Sequence, residues 1–147
     1  MVNIAVRQAN NTDIGVLHFI NQRTLPQPYT IKQWTEIVYS PTIKCMIIES
    51  SKSIVGYCVT EFQKNATAHI ASIAIMLEYQ KLGLANRLVS HAEMIAKQAG
   101  AQRIVLEVNE HNLAAIGLYQ KAGYHHYGKQ ERFYNDGSTA LLLEKVL

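Results

Sequence analysis

Three short segments of this 147-residue chain carry residue types that could act together in one reaction. The first, QKLGLA at residues 80–85, stands between an apolar run and an amphipathic helical pattern. Gly83 can adopt backbone angles that other residues avoid, so successive N–H groups can turn toward one anion, and the start of the following helix adds about half a positive charge. Further on, Glu107 lies inside the apolar run RIVLEV, and Tyr119 lies near the end of a helical pattern. These residues predict a phosphate-bearing ligand, a carboxylate base and a phenol acid.

The glycine segment by itself also has a simpler interpretation, since many α/β proteins use such a turn only to reverse the chain direction. It is not a P-loop, because no Gly-Lys-Ser/Thr follows, and it lacks the three-glycine spacing of a dinucleotide-binding turn. The ordered combination of strand, glycine turn, helix, glutamate strand and tyrosine helix is more specific than any one of its parts.

Glu107 and Tyr119 each have a structural alternative. The period of two in residues 103–108 places Glu107 on the strand face opposite the apolar face formed by Ile104, Leu106 and Val108. A carboxylate in such a strand is costly unless it is used or paired, so the alternative to a base is a salt bridge to a Lys or Arg on a neighbouring strand. The alternative for Tyr119 is a packed aromatic ring.

Alternating apolar and polar residues, bounded by turn residues, predict the strands that position these segments. Strands are predicted over residues 4–7, 44–50, 54–62, 68–75, 103–108, 124–131 and 139–146. The second and third are joined by a short polar turn, which predicts an antiparallel hairpin.

Four helices are predicted between these strands. Thr12 or Asp13 is expected to cap the first helix, and Thr30 with Gln33 matches a capping box for the second, which must end before Pro41. The third follows the glycine segment, and the fourth begins near Asn112. Gly100 and Gly123 are predicted to stop these last two helices. The result is an α/β fold with a mixed, mostly antiparallel sheet of about seven strands flanked by about four helices.

Length and composition predict one domain over residues 1–147. Apolar residues make up 48% and charged residues 17% of the chain, which is typical of a globular enzyme. The net charge of +3 comes from scattered Lys and Arg residues, so we expect no nucleic-acid partner. A cosubstrate with several negative charges explains this balance equally well.

The remaining sequence signals indicate a cytoplasmic protein without a bound metal. The N-terminal residues lack the apolar core and cleavage site of a secretion signal, and no segment is apolar for long enough to span a membrane. Cys45 and Cys58 lack CxxC spacing and are expected to be buried thiols. The six histidines show no metal-ligand spacing, with His125 and His126 adjacent and therefore on opposite strand faces.

Five motifs together resemble the GNAT superfamily of N-acetyltransferases, most of all its ribosomal-protein-alanine and protein N-terminal branch. In chain order they are IASIAI, QKLGLA, LEV, NLAAIGLY and AGY. The likeness is strong from Ile70 to the C-terminus, and before that it rests on the layout and on LPQPY. Ala85 stands where the family's loop usually carries a second glycine, so we expect a less close approach of the backbone to pyrophosphate there.

The resemblance implies a set of cofactor contacts and catalytic roles for acetyl-CoA as cosubstrate. Glu107 would be the general base, acting through water, and Tyr119 would meet the departing sulfur as general acid. Asn112 would contact the cofactor, although its position also suits a helix cap. The strand before the loop would hold the pantetheine through its backbone, and the loop would hold the pyrophosphate; the residues implied are Ile73, Ala74, Ile75, Gln80, Lys81, Leu82, Gly83, Leu84, Ala85 and Asn86.

The fraction of an amine that is neutral at pH 7 helps to decide which class of amine accepts the acetyl group. An α-amine with a pKa near 7.8 is about one-seventh neutral at pH 7, whereas a lysine with a pKa near 10.4 is about 0.04% neutral, a gap of roughly 3.5 kcal/mol. A single buried glutamate is better suited to deprotonating an α-amine, because less free energy is needed.

Two segments resemble the peptide-binding walls of N-terminal acetyltransferases. They are LPQPY, with Leu25, Pro26 and Tyr29, and the aromatic hairpin with Arg132, Phe133 and Tyr134. The first is equally typical of a proline turn leading into a helix. A lysine or small-amine acetyltransferase and a non-catalytic acyl-CoA-binding domain remain the alternatives, and the sequence leaves the oligomeric state open.

Overall fold

The computed structural model describes residues 3–147; Met1 and Val2, which the predicted domain includes, lie outside them. The described strands are β1 Ile4–Gln8, β2 Ile43–Ser50, β3 Ser53–Gln63, β4 Thr67–Ile75, β5 Arg103–Asn109, β6 His125–Gln130 and β7 Ala140–Val146. The described α-helices are α1 Ile14–Thr24, α2 Ile31–Tyr39, α3 Leu84–Gln98 and α4 Leu113–Lys121. The predicted mixed, mostly antiparallel sheet with flanking helices is confirmed.

The seven described strands form one sheet in the order β1-β2-β3-β4-β5-β7-β6. All neighbours are antiparallel except β4 and β5, which are parallel. Their pairing runs only from Thr67 opposite Arg103 to Ile70 opposite Leu106. Beyond this point the two strands part, and the sheet opens at its centre.

A bulge in β4 lies at the point where the strands part. Val59 on β3 pairs with Ser72, whereas the next residue, Thr60, pairs with Ile70. Ala71 is therefore an extra residue in β4, and it shifts the alternation of the side chains that follow. The resemblance implies such an irregularity near the pantetheine site, and the period of the sequence does not reveal its position.

Each face of the sheet carries its own core. On one face α3 and α4 pack over β2–β5, with Leu88, Ile104 and Leu106 almost completely buried. On the other face α1 and α2 pack over β2–β4, around Trp34 and Tyr57. The open part of the sheet therefore lies between two helical layers.

The start of α1 differs in part from the prediction, because Asp13 is its N-cap residue but makes no side-chain cap to the helix. Asn10, rather than Thr12 or Asp13, supplies the capping side chain, because its Oδ1 accepts a hydrogen bond from the Thr12 N–H at 2.9 Å and begins a short 3-10 turn. The Asp13 carboxylate is already occupied, since Arg7 donates to it at 2.8 and 3.0 Å. Asp13 stands at the N-cap position of α1, but its carboxylate accepts the Asn10 N–H at 2.8 Å and the Arg7 guanidinium instead of an N–H group of α1.

The other predicted helix boundaries are confirmed. Thr30 and Gln33 form the capping box of α2, and Gly100 and Gly123 follow α3 and α4 with φ of +90° and +98°. Cys45 and Cys58 are free, buried thiols. None of the helices in residues 3–147 has the length and apolar character needed to cross a membrane.

Candidate active site

The parting of β4 and β5 creates a cavity of about 570 Å³. Its walls come from both strands, from α4, from the segment after α1 and from the β6–β7 loop. Because α1 and α4 lie on opposite faces, the cavity passes through the sheet. Eight residues predicted from the sequence line it, namely Glu107, Tyr119, Ile73, Asn112, Leu25, Pro26, Phe133 and Tyr134.

Glu107 lies on the strand face predicted for it, and it is paired. Its Oε2 lies 2.6 Å from Nε2 of His69 on β4, and its side chain is 24% exposed. A Glu61 oxygen lies 3.4 Å from the other ring nitrogen, Nδ1. The partner of the glutamate is therefore a histidine, not the Lys or Arg of the structural alternative.

The two carboxylates change the ionisation of this histidine. The hydrogen bond to Glu107 raises the pKa of His69 most, burial opposes it, and the charge of Glu61 adds to the rise. The imidazolium form is thus favoured to a higher pH than in a free histidine.

Tyr119 lies in the second turn of α4 and is 6% exposed. Its ring packs edge-on against Tyr124, with ring centroids 5.5 Å apart. Burial raises the pKa of the Tyr119 phenol. The hydroxyl is therefore protonated at neutral pH and available as a donor, although transfer of its proton to a thiolate becomes more uphill.

The glycine segment forms the end of β4's connection to α3. Gly83 has φ of +80° and Lys81 of +65°, and the Gln80 side-chain amide donates to the Ile75 carbonyl at 2.9 Å. The first helical bond of α3 runs from the Arg87 N–H to the Gly83 carbonyl at 3.3 Å. The preceding N–H groups, those of Leu84, Ala85 and Asn86, have no acceptor within the helix, which suits a bound anion.

The side chains of this segment divide between solvent and core. Lys81 and Leu82 are exposed, whereas Leu84 is 5% exposed and belongs to the core, so only its backbone can contact a ligand. Asn86, Arg87 and Lys121 line a second, open cavity of about 530 Å³ between α3 and the end of α4. Its basic side chains fit a ligand with several phosphates.

The last residues of β4 expose one strand edge to the opening. Ile73, Ala74 and Ile75 pair with β3 on one side, and among the described strands none pairs with them on the other. Ala74 and Ile75 themselves are buried. Their free backbone groups suit an extended ligand that adds to the edge as a strand would.

Asn112 caps α4, since its Oδ1 accepts a hydrogen bond from the Ala115 N–H at 3.2 Å. It also lines the main cavity. The cap is therefore observed, and its contact to a cofactor stays a prediction.

A buried polar network fixes the loop between α1 and α2. The Tyr29 N–H donates to the Asn21 Oδ1 at 2.6 Å, and the Asn21 amide donates to the Tyr57 hydroxyl at 2.9 Å. That hydroxyl lies 2.9 Å from the Ser72 hydroxyl on β4, which lines the main cavity. Tyr29 itself lines a smaller neighbouring cavity with Glu61.

The β6–β7 loop forms the opposite wall. Phe133 and Tyr134 donate their N–H groups to the Ser138 carbonyl, and their rings pack edge to face with centroids 4.9 Å apart. Burial, and then the charge of Glu107, raise the pKa of Tyr134. Both aromatic segments predicted as peptide walls thus border the region around Glu107.

Two features of the site were not predicted from the sequence. They are His69 and the hydrogen-bonded network of Asn21, Tyr57 and Ser72. A histidine on β4 carries no ligand spacing, and its pairing with Glu107 depends on a strand register that only the folded sheet defines. Within residues 3–147, no three His, Cys, Asp or Glu side chains are grouped so that they could hold a metal ion.

Comparison with known proteins identifies the class. The family model described as Acetyltransferase (GNAT) family matches residues 14–124. The chain therefore belongs to the GNAT acetyltransferase family. It is an N-acetyltransferase, and its cosubstrate is acetyl-CoA.

Individual relatives have the same layout over nearly the whole chain. A putative ribosomal protein bS18-alanine N-acetyltransferase of Bacillus subtilis (strain 168) is 31% identical over 141 residues, 95% of this chain and 93% of the relative. An N-alpha-acetyltransferase of Sulfurisphaera tokodaii is 26% identical over 154 residues, which cover 97% of this chain and 92% of the relative. The structure of the ribosomal-protein-S18-alanine N-acetyltransferase from Escherichia coli superposes with a TM-score of 0.89 at 22% identity, covering 98% of this chain and 94% of that one, which shows the same fold.

Proposed function

We propose that this enzyme acetylates the N-terminal α-amine of a protein or peptide by direct attack on acetyl-CoA, with Glu107 as general base and Tyr119 as general acid. One observation carries the proposal: both side chains line the cavity that passes through the open sheet, and the loops after α1 and β6 wall it on the other side. A base, an acid and an extended slot thus converge on one space.

The reaction moves two protons from the nitrogen. The acceptor ammonium first loses one proton toward Glu107, through water, and its lone pair then forms a bond to the thioester carbonyl carbon. The C–S bond breaks as the carbonyl re-forms, and the sulfur leaves with the bonding electron pair and takes the proton of Tyr119. The nitrogen gives up its second proton, which returns the phenol to its protonated form, and the first proton passes to solvent.

Acetyl-CoA would be held by backbone groups more than by side chains. The free edge of β4 after Ala71 suits the amide groups of pantetheine, and the N–H groups before Arg87 suit the pyrophosphate. Arg87 and Lys121 suit the remaining phosphate charge. Compared with the glycine usual at this position, Ala85 adds one methyl group where the backbone would approach the pyrophosphate.

The acceptor assignment rests on the loops and on the relatives. Leu25 and Pro26 border the cavity opposite Phe133 and Tyr134, which suits an extended peptide. Two of the relatives are named as acetyltransferases of N-terminal amines or of ribosomal-protein alanine. An α-amine also needs less help from a base than a lysine does, by roughly 3.5 kcal/mol at pH 7. We propose that this single-domain enzyme acts in the cytoplasm, where protein N-termini emerge.

Thiol release from acetyl-CoA with two matched peptides tests the proposal. One peptide has a free α-amine and no lysine, and the other is blocked at its N-terminus and has one lysine. We expect turnover of the first alone. Turnover of the second alone would assign lysine instead, and turnover of neither, despite acetyl-CoA binding, would favour a small amine or a binding domain.

The slot is tested separately. Replacing Tyr29 and Tyr134 together with alanine is expected to raise the KM for peptide more than the KM for acetyl-CoA, because the walls would contact only the peptide. Equal effects on both constants would exclude the slot.

A further inference from the structure

The buried polar network of Asn21, Tyr57 and Ser72 ends at the wall of the main cavity. Asn21 and Tyr57 are almost completely buried, so neither exchanges its hydrogen bonds with solvent. Ser72 is directly opposite Val59 of β3, whose side chain belongs to the core under α1 and α2. Because side chains that are paired across neighbouring strands share one face, the Ser72 hydroxyl lies on the same side of the sheet as the loop after α1. It lines the cavity on that side.

The direction of each hydrogen bond in this network can be assigned. The Tyr29 N–H can only donate, so the Asn21 Oδ1, 2.6 Å away, accepts. The amide nitrogen of Asn21 therefore faces the Tyr57 hydroxyl and donates to it at 2.9 Å. The Tyr57 hydroxyl needs an acceptor for its own hydrogen, and within residues 3–147 the Ser72 Oγ at 2.9 Å is the one in reach. Every hydrogen bond in the network thus runs toward Ser72.

This direction makes the Ser72 hydroxyl a donor. Its oxygen accepts from Tyr57, and among the described residues its hydrogen meets no acceptor. The opposite direction, from Ser72 to Tyr57, would leave the Tyr57 hydrogen buried without a partner, which costs free energy. A chain of hydrogen bonds also polarises its last member, so this O–H group is a stronger donor than that of an isolated serine. The cavity wall therefore presents one oriented donor.

Glu107 lies across the gap from this donor and on the same side of the sheet. It faces away from Ile104 and Leu106, which belong to the core under α3. In a peptide, the first carbonyl group is bonded to the carbon that bears the α-amine. When that amine lies near Glu107 in the cavity, the carbonyl oxygen comes within reach of a donor on the opposite wall. A lysine side chain or an alkyl amine carries no oxygen next to its nitrogen.

We propose that Ser72 is a specificity-determining residue, whose hydroxyl donates a hydrogen bond to the first carbonyl oxygen of the acceptor peptide. This inference rests on the proposed function, because it requires an α-amine acceptor. The contact keeps the amine close to Glu107, and it gives the enzyme a chemical basis for choosing an α-amino carbonyl compound over other amines. No covalent bond changes at Ser72, so its role is recognition.

Two acceptors that differ in the first carbonyl group test this contact. One is an α-amine peptide that the full-length enzyme acetylates. The other is its alkene isostere, in which a carbon–carbon double bond replaces the first peptide bond and removes the carbonyl oxygen. The quantity measured is the ratio of kcat/KM for the peptide to kcat/KM for the isostere. Any difference between the pKa values of the two amines cancels when this ratio is compared between enzymes.

Ser72→Ala should lower this ratio roughly tenfold relative to the natural enzyme, because it removes the donor that distinguishes the two acceptors. Tyr57→Phe is the matched control, since it breaks the same network but keeps the Ser72 hydroxyl. Its KM should rise for both acceptors, and its ratio should stay within about twofold of the natural value. Ser53→Ala, at an exposed position in the β2–β3 turn, should match the natural enzyme throughout.

An unchanged ratio in Ser72→Ala would overturn the inference. An equal fall of the ratio in Tyr57→Phe would also overturn it, since loosening of the network alone would then explain the result. Ser72→Cys covers the case in which Ser72→Ala does not fold, because a thiol is of similar size but donates only weakly. The ratio should fall there too, and an unchanged ratio in this variant would count against the inference in the same way.

Failure of the proposed function gives a different result. The enzyme would then acetylate only the peptide that has a blocked N-terminus and one lysine, and this inference would fall with the α-amine assignment. An enzyme that acetylates α-amines with a ratio independent of Ser72 would keep the proposed function and lose the inference alone.

Discussion

The two faces of the sheet bury different kinds of side chain. The face under α3 and α4 is almost wholly apolar, with Leu88 and Ile104 fully buried. The face under α1 and α2 buries Asn21, Tyr57 and Ser72 in a hydrogen-bonded chain and carries His69 between the carboxylates of Glu61 and Glu107. The larger apolar cluster lies on the first face and most of the buried polar groups lie on the second, and the gap between β4 and β5 connects the two faces.

This division has a physical basis. A buried polar group is tolerated when its hydrogen bonds are satisfied, and it then fixes one arrangement of the groups around it. The network from Tyr29 to Ser72 ties the loop after α1 to the cavity wall on β4. The apolar face instead holds α3 firmly, so that the N–H groups at its start keep their position at the gap.

The largest expected effect separates activity from stability on the polar face. Glu107→Gln should lower kcat by about 10² to 10⁴-fold, because the amide cannot accept a proton, and should leave the Kd for acetyl-CoA within about twofold. Steady-state kinetics and calorimetric binding measure these values. Glu36→Gln, at an exposed position in α2, is the control. Unchanged turnover in Glu107→Gln would remove this residue from the mechanism.

The apolar face should behave in the opposite way. Leu88→Ala is expected to lower the free energy of unfolding by about 2–5 kcal/mol, since a fully buried leucine leaves a cavity, while kcat per folded molecule changes little. Urea denaturation measures the loss, and Lys97→Ala on the exposed side of α3 is the control. A loss below 1 kcal/mol would contradict the expected contribution of this apolar core to stability.

A variant between these two extremes should affect both properties moderately. Tyr57→Phe removes the hydroxyl that joins Asn21 to Ser72, so the free energy of unfolding should fall by about 1–3 kcal/mol. The loosened loop should raise the KM for peptide more than the KM for acetyl-CoA. Tyr39→Phe, at an exposed tyrosine of α2, should change neither quantity. Loss of stability with unchanged peptide KM would disconnect the network from the slot.

The smallest effect is expected in the glycine turn that precedes α3. Gly83→Ala places a side chain at φ +80°, which costs about 1–2 kcal/mol although no atom lies within 4 Å of the added Cβ. We expect the Kd for acetyl-CoA to rise about three- to tenfold, with little change in the peptide KM. Ala85→Gly is the informative partner, because it should leave the Kd equal or lower it. A higher Kd in Ala85→Gly would contradict the assigned approach of the phosphates.

Local sequence signals predict most of the fold. The period of two in residues 103–108 places Glu107 opposite the core face, and the glycines after α3 and α4 end both helices as predicted. The cap of α1 is the exception, because the Asp13 carboxylate binds Arg7 and the Asn10 N–H rather than an N–H group of α1. Which side chain caps a helix depends on the other hydrogen bonds open to each candidate, and residue type alone does not decide it.

The sequence by itself determined the order of the elements, the glycine turn before α3 and the presence of a glutamate and a tyrosine at positions suited to acid–base chemistry. These follow from dihedral preferences and from the periodicity of burial, both of which act over a few residues. Only the tertiary structure decided that β4 and β5 part after Ile70, and that His69 meets Glu107 across 38 positions of the chain. The reason is that strand register depends on the packing of both helical layers at once, so a contact between distant strands leaves no local pattern.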